Sequence, residues 1–162
     1  MKQAILIILL SFISDITFGQ TALEKRKSAY FEMAGSGGFG SINYEKVFHK
    51  KNNTEFTWRA GFGLAPIDKN NGTGLVFPLM INSIIGQSAH KMEFGLGQGF
   101  TITTKGQPFA LTTALIGYRY QPGIKNWFYR VTYTPLLSYL VDFQVQQWAG
   151  ISIGYTLNNK TK

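Results

Sequence analysis

The stretch Phe56-Thr57-Trp58-Arg59-Ala60-Gly61-Phe62-Gly63-Leu64 carries the reading of the fold. Side chains alternate between the two faces of a strand, so the stretch splits into two lists. One face holds Phe56, Trp58, Ala60, Phe62 and Leu64; the other holds Thr57, Arg59, Gly61 and Gly63. Rings and aliphatics stand together, and the one charge stands among small residues.

The same division recurs on both sides of this stretch. Ile42 and Tyr44 alternate with Ser41, Asn43 and Glu45, and Trp127, Tyr129, Val131 and Tyr133 with Phe128, Arg130, Thr132 and Thr134. Ile151, Ile153 and Tyr155 alternate with Gly150, Ser152, Gly154 and Thr156. The pattern also runs through 30–35, 92–97 and 113–120, while 74–84 is more uniformly apolar. Turn-forming clusters separate the segments: Gly35-Ser36-Gly37-Gly38, Lys50-Lys51-Asn52-Asn53, Asp68-Lys69-Asn70-Asn71-Gly72, Gly86-Gln87-Ser88, Lys105-Gly106-Gln107-Pro108, Pro122-Gly123 and a weaker one near Asp142. Seven turns predict eight strands, near 28–35, 39–49, 55–64, 74–84, 91–101, 109–120, 127–138 and 146–157. These are longer than the ~5–6 residues usual in globular proteins and close to the ~9–11 that cross a bilayer.

Composition points the same way. The chain has 162 residues, enough for one domain, with 15% charged and 15% aromatic residues and 18 glycines. An ordinary soluble domain has about 25% charged residues. There is no cysteine, which excludes disulfides, thiolate catalysis and Cys-based metal sites, and only two histidines, His49 and His90. In a soluble barrel the apolar list would point inward. Eight strands enclose an interior just wide enough for side chains, which cannot take the rings that 3 Trp, 8 Tyr and 13 Phe supply. Inverted, the aromatics and aliphatics face lipid, and the small residues and isolated charges fill the lumen. Only a helix or a closed barrel satisfies every backbone group in lipid. The expected fold is all-β, an eight-stranded antiparallel up-and-down transmembrane β-barrel.

The N-terminus reads as an export signal. Lys2 precedes the apolar run Ala4 to Ile13, and Thr17-Phe18-Gly19 supplies small residues before a cut at Gln20. The run is too short to span a bilayer as a helix, which takes ~20 residues. The expected organisation is a signal peptide over 1–19, a lead over 20–27, the barrel over 28–157 and a polar tail over 158–162.

Several short motifs resemble small outer-membrane β-barrel proteins of Bacteroidota, of the OmpA-like transmembrane type. Tyr30-Phe31-Glu32, Gly37-Gly38 and Ile42-Asn43-Tyr44-Glu45-Lys46 resemble their first hairpin. Phe77-Pro78-Leu79, Gly86, His90-Lys91-Met92-Glu93-Phe94-Gly95-Leu96-Gly97 and Gly150-Ile151-Ser152-Ile153-Gly154-Tyr155 continue the resemblance. It departs at the end, where Asn158 to Lys162 replace a terminal aromatic strand residue. The resemblance implies fold and outer-membrane location and carries no catalytic motif.

Such barrels keep their termini and short turns in the periplasm. The turns near 50–53, 86–90 and 121–126 are then periplasmic, and those near 36–38, 66–72, 104–108 and 140–145 extracellular. Tyr44, Trp58, Tyr118, Tyr120, Trp127, Tyr129 and Tyr155 form the expected inner aromatic girdle; Phe62, Phe100, Tyr139 and Trp148 form the outer one. Glu32, Glu45, Arg59, Glu93, Arg119 and Arg130 face inward by parity and sum to zero charge. Glu45 with Arg59, Glu93 with Arg119 and Glu32 with Arg130 are the expected pairs, because buried charges need partners and Arg meets carboxylates with a planar fork. Beyond this layer Gly61, Gly63, Gly95, Gly97 and Gly150 suggest an emptier outer half.

The formal charge is +8. Its excess sits at the periplasmic side, in Lys46, Lys50, Lys51, Lys91, Lys125, Lys160 and Lys162, where anionic head groups or an acidic partner would meet it. Export argues against nucleic acid. Gly35 to Gly40 lacks the trailing Lys-Ser/Thr of a phosphate loop. Some small outer-membrane barrels are lipid A deacylases, acyltransferases or proteases, but both histidines here fall at periplasmic turns. Two histidines without a third ligand make a weak metal site. No enzyme activity, cofactor or metal is expected. The expected partners are outer-membrane lipid and other outer-membrane or periplasmic proteins. The expected role is structural or accessory in the cell envelope, including as a subunit of a larger complex. The alternatives are a narrow pore or small-ligand-binding barrel, and a soluble lipocalin-like carrier.

Overall fold

The computed structural model describes residues 26–68, 72–123, 126–138 and 143–157. The expected signal segment 1–19, the lead up to residue 25, Lys125, Tyr139 and the tail 158–162 lie outside the described residues. Among the described residues no helix is long and apolar enough to cross a membrane, which says nothing of strands.

The strands are β1 (Lys27–Ala34), β2 (Gly40–Lys51), β3 (Thr54–Asp68), β4 (Gly72–Ile85), β5 (His90–Thr103), β6 (Pro108–Tyr120), β7 (Trp127–Tyr133), β8 (Leu136–Ser138), β9 (Gln144–Gln146) and β10 (Ala149–Leu157). Each pairs antiparallel with its neighbours, and β1 pairs with β10 from Lys27↔Leu157 to Ala34↔Gly150, closing the sheet on itself. Strands β7 and β8 form one stave, and β9 and β10 another, so the barrel is an eight-stranded antiparallel up-and-down barrel. Pro135 marks the break in the seventh stave, since proline offers no N–H to the ladder. The register does not slip there: Tyr133↔Ala149 and Leu136↔Gln146 lie in one phase. We call the end where Lys27 meets Leu157 the terminal end, and the other the distal end.

The alternation sets what faces where. Phe31, Ile42, Phe62, Leu79, Leu96 and Ile153 point outward and are exposed, while Glu32, Asn43, Arg59, Met80 and Ser152 point inward and are buried. The segment 74–84, apolar on both lists, obeys the same rule: Leu75, Phe77, Leu79 and Ile81 are outside, and Val76, Met80 and Ile84 inside. It reads as uniform because part of the interior is apolar. Tyr30, Phe128 and Leu115 are also buried there.

The segment expected as an extracellular turn at 36–38 is corrected. Gly35–Gly37 forms one turn of 3-10 helix whose residues are all buried, so the β1–β2 connection folds into the barrel. Ala34 at φ 58° and Gly35 at φ 83° bend the chain inward, and Gly38 at φ 88° returns it. A side chain at Gly38 would also press on the Leu64 carbonyl oxygen at 2.8 Å. Left-handed backbone with no room for Cβ requires glycine there.

Candidate functional site

The barrel interior contains a continuous chain of alternating charges. Strands β1, β2, β3, β5, β6 and β7 each contribute inward residues, so Glu32, Glu45, Arg59, Glu93, Arg119 and Arg130 converge although they are scattered in sequence. All six are essentially inaccessible to solvent. Arg119 grips both oxygens of Glu45 at 2.8 and 2.7 Å and donates from Nε to Glu93 at 3.0 Å. Arg130 reaches Glu93 at 2.9 Å with one nitrogen and Glu32 at 2.8 Å with the other. Arg59 lies 3.4 Å from Glu32 and donates to the Tyr30 hydroxyl at 2.9 Å and to Ser36 Oγ of the inward loop.

The expected contacts of Glu93 with Arg119 and of Glu32 with Arg130 are present. The expected Glu45–Arg59 pair is corrected. The two are register partners, yet Glu45 turns across the lumen to Arg119 while Arg59 turns towards Glu32. The reason is geometric: a barrel this narrow brings opposite staves within reach, and a bidentate Arg–carboxylate contact holds better than a sideways one.

Sequence reasoning missed two members. Arg26, in step with Ser28, Tyr30 and Glu32, makes an ion pair with Glu55 at 2.8 Å and lies 3.6 Å from Glu45. Glu55, in step with Thr57 and Arg59, also meets Lys50 at 3.5 Å and Lys91 at 3.6 Å. Carrying the alternation two residues before the expected strand 28–35 would have found Arg26, and Glu55 opens the expected strand 55–64 on the same face as Thr57 and Arg59. The chain of charges thus runs Arg59, Glu32, Arg130, Glu93, Arg119, Glu45, Arg26, Glu55 and out to the lysines at the terminal rim. Burial, with the Arg119 charge nearby, pulls the Arg26 guanidinium below its ordinary value without discharging it. Glu55 sits next to the terminal turn, outside the ~9–11 residues a bilayer would take. Burial alone would raise its carboxyl, but Arg26, Lys91 and Lys50 outweigh this and hold it below the usual carboxylate range.

Two rings floor this network. The Arg130 guanidinium lies 4.4 Å from the Tyr30 ring centre and that of Arg119 4.6 Å from Phe128; both are cation–π distances. Tyr30 and Phe128 meet edge to face at 5.8 Å. Gly154 is the register partner of both, and a Cβ there would collide with the Phe128 ring. The glycine is what lets the two rings touch across an intervening strand.

The glycines expected to empty the outer half are corrected. Asn43 lies over Gly61, Asn82 over Gly95, Met80 over Gly97, and the inward loop over Gly63 and Gly150. Each is small because a neighbour fills its space. Open space does exist, but further towards the distal end, where a cavity of about 300 Å³ is lined by Ser36, Val76, Gly99, Leu111, Leu136 and Trp148 among others.

Of the expected girdle, Tyr118, Tyr120, Trp127, Tyr129 and Tyr155 are outward and exposed, and Tyr44 and Trp58 are half-buried, ring to ring at 5.6 Å. Phe62 and Phe100 are also exposed. Trp148 is corrected: it is in phase with Gly150 and Ser152 and lines the cavity. His49 packs on Phe56, and His90 packs against Tyr118 and Tyr120. Among the described residues no cluster of three or more His, Cys, Asp or Glu could hold a metal. Comparison with known proteins finds no matching family model, curated protein or solved structure.

Proposed function

We propose that this chain is an integral outer-membrane β-barrel with a closed lumen and a structural or accessory role in the cell envelope. One observation carries the reading. Among the described residues thirty large hydrophobic side chains are exposed and eight are buried, against twenty buried polar or charged ones. A water-soluble barrel with that distribution would present a continuous apolar wall to solvent, far beyond the few hundred Å² usual for a monomer. In lipid the same wall is matched to its surroundings. The resemblance to small Bacteroidota barrels fits this reading, with the terminal end in the periplasm. The interior ion chain and the inward loop stand in place of an open channel, which favours a scaffold or complex subunit over a pore.

The test is fractionation and gel mobility. The expressed protein is expected in the outer membrane, released by detergent and not by osmotic shock or high salt, and migrating faster unheated than heated. Recovery as a monomer in detergent-free periplasmic extract would overturn the proposal in favour of a soluble carrier.

A further inference from the structure

We propose that the distal cavity is a binding site for a neutral, largely apolar small molecule. The proposal needs the barrel but not its surroundings, so it goes beyond the membrane reading. The cavity of about 300 Å³ is at the lower end of small-molecule sites. Val76, Gly99, Leu111, Leu136 and Trp148 line it from five staves of the barrel, and Phe109 closes part of the wall. Its floor is the inward loop: Ser36 and Gly38 face the cavity, and Ser36 is held from below by Arg59 and Glu32. The space is therefore a blind cup closed by the ion chain.

Gly99 gives an independent sign that this space is unfilled. Among the described glycines on the interior face of the strands, the others would each bring a Cβ to about 3 Å or less from a neighbour. At Gly99 the nearest atoms are the Ser36 carbonyl oxygen and Val76 Cγ1, both at 3.7 Å. No described residue covers this glycine as Asn43 and Met80 cover theirs. An apolar hollow of this kind favours a ligand with the same polarity.

The chemistry of the lining selects the ligand. Among the described residues no Asp, Glu, Lys, Arg or His lines the cup. An ionised ligand would lose its water and find no counter-charge, which is costly. Thr101, Ser138, Gln144 and Gln146 supply neutral donors and acceptors. One ring or short chain carrying a hydroxyl or amide fits that set.

Trp148 makes the test direct. With Trp58→Phe and Trp127→Phe, it is the remaining tryptophan of the 3 in the chain. The full-length protein, folded in maltoside micelles, is titrated with 4-bromobenzyl alcohol, whose bromine quenches a tryptophan it touches, and with the anion 4-bromobenzoate. Saturable quenching by the alcohol is expected, with the anion weaker by at least about tenfold. Gly99→Phe fills the cup and should weaken the alcohol at least about tenfold, as losing several buried carbon contacts does. If Gly99→Phe loses its heat-modifiable mobility, Gly99→Leu takes its place. Quenching that rises without saturation, equally in parent and Gly99 variant, would overturn the proposal; so would equal binding of the anion. If the protein proves soluble without detergent, the same titration in plain buffer still reads the cup.

Discussion

The two halves of the lumen solve one problem in different ways. The terminal half is filled with charge, and the distal half holds a loop and an uncharged hollow. In the terminal half long, ionised side chains cross the lumen beside Tyr30 and Phe128, and each carboxylate meets two or more cations. In the distal half the described lining is aliphatic, hydroxylic, amide or aromatic, and carries no charge. A buried charge is tolerated only as part of a complete network, so the terminal half is all-or-none. The distal half has no such constraint and is where the chain can leave space. This asymmetry predicts a rigid, substitution-intolerant region beside a tolerant one.

The largest effect should come from breaking the network at its centre. Arg119→Ala leaves Glu45 and Glu93 each short of a cation inside the barrel. Breaking a buried pair costs about 3–5 kcal/mol, and the unfolding midpoint in urea with lipid vesicles should fall accordingly. Glu45→Ala with Arg119→Ala should cost less than the sum of the singles, because the two interact directly. Strict additivity would show that the network is not a unit. The Glu45–Arg59 combination serves as the contrast: those residues make no ion pair with each other, so the two losses should add more nearly.

Both halves lie inside one apolar wall, and substitutions on that wall read what surrounds it. Leu96 is exposed near the middle of β5 and Leu157 at the terminal end of β10. Arginine on the lipid face costs roughly 2–4 kcal/mol at the midplane and ~0–1 near the interfaces. Leu96→Arg should therefore destabilise the vesicle-bound barrel far more than Leu157→Arg. Equal, small losses at both positions would place the outer face in water.

How much of this was legible in the sequence follows from what alternation can encode. Period two shows which residues share a face, and so it placed all six central ionisable residues inside the barrel. It says nothing about who meets whom across a closed lumen. Glu45 and Arg119 are 74 residues apart and lie on staves that are not neighbours, so their contact is a property of closure. Gly35-Ser36-Gly37-Gly38 reads as a turn, and locally it is one. That it turns inward depends on the space left above Glu32 and Arg59, which no local pattern contains. Trp148 was misplaced because its size suggested lipid, whereas the unbroken register through Pro135 fixes it inside.

Packing sharpens the contrast at a smaller scale. Gly154 lies beneath Tyr30 and Phe128 in the network half, and Gly99 beside the cup. Gly154→Ala forces a methyl into the ring pair, and overpacking of this kind costs about 1–3 kcal/mol. Gly99→Ala meets only ordinary contacts at 3.7 Å or more and should change stability by less than about 0.5 kcal/mol, as substitutions away from tight packing do. The midpoints of the two variants in one urea series decide it. If Gly99→Ala is the more costly, the cup is filled.

The smallest effect lies at the terminal rim, where the network meets solvent. Glu55 is 13% exposed and Lys50 50%, so water screens part of their attraction and the contribution is at most about 1 kcal/mol. The Glu55 carboxyl is held below its usual range, against its own burial, by Arg26, Lys91 and Lys50. A group whose folded value is depressed stabilises the fold above its unfolded pKa, about 4.3 for Glu, and loses that stabilisation as pH falls through the folded value. Glu55→Gln should therefore lower stability slightly at pH 7. The gap to the parent should close as pH drops below about 4, because the parent's carboxyl becomes neutral like the amide. Urea midpoints of parent and variant from pH 7 to pH 3 measure the gap directly. A gap that stays constant over that range would mean that Glu55 acts through packing alone, and the charged half would then end at Arg26.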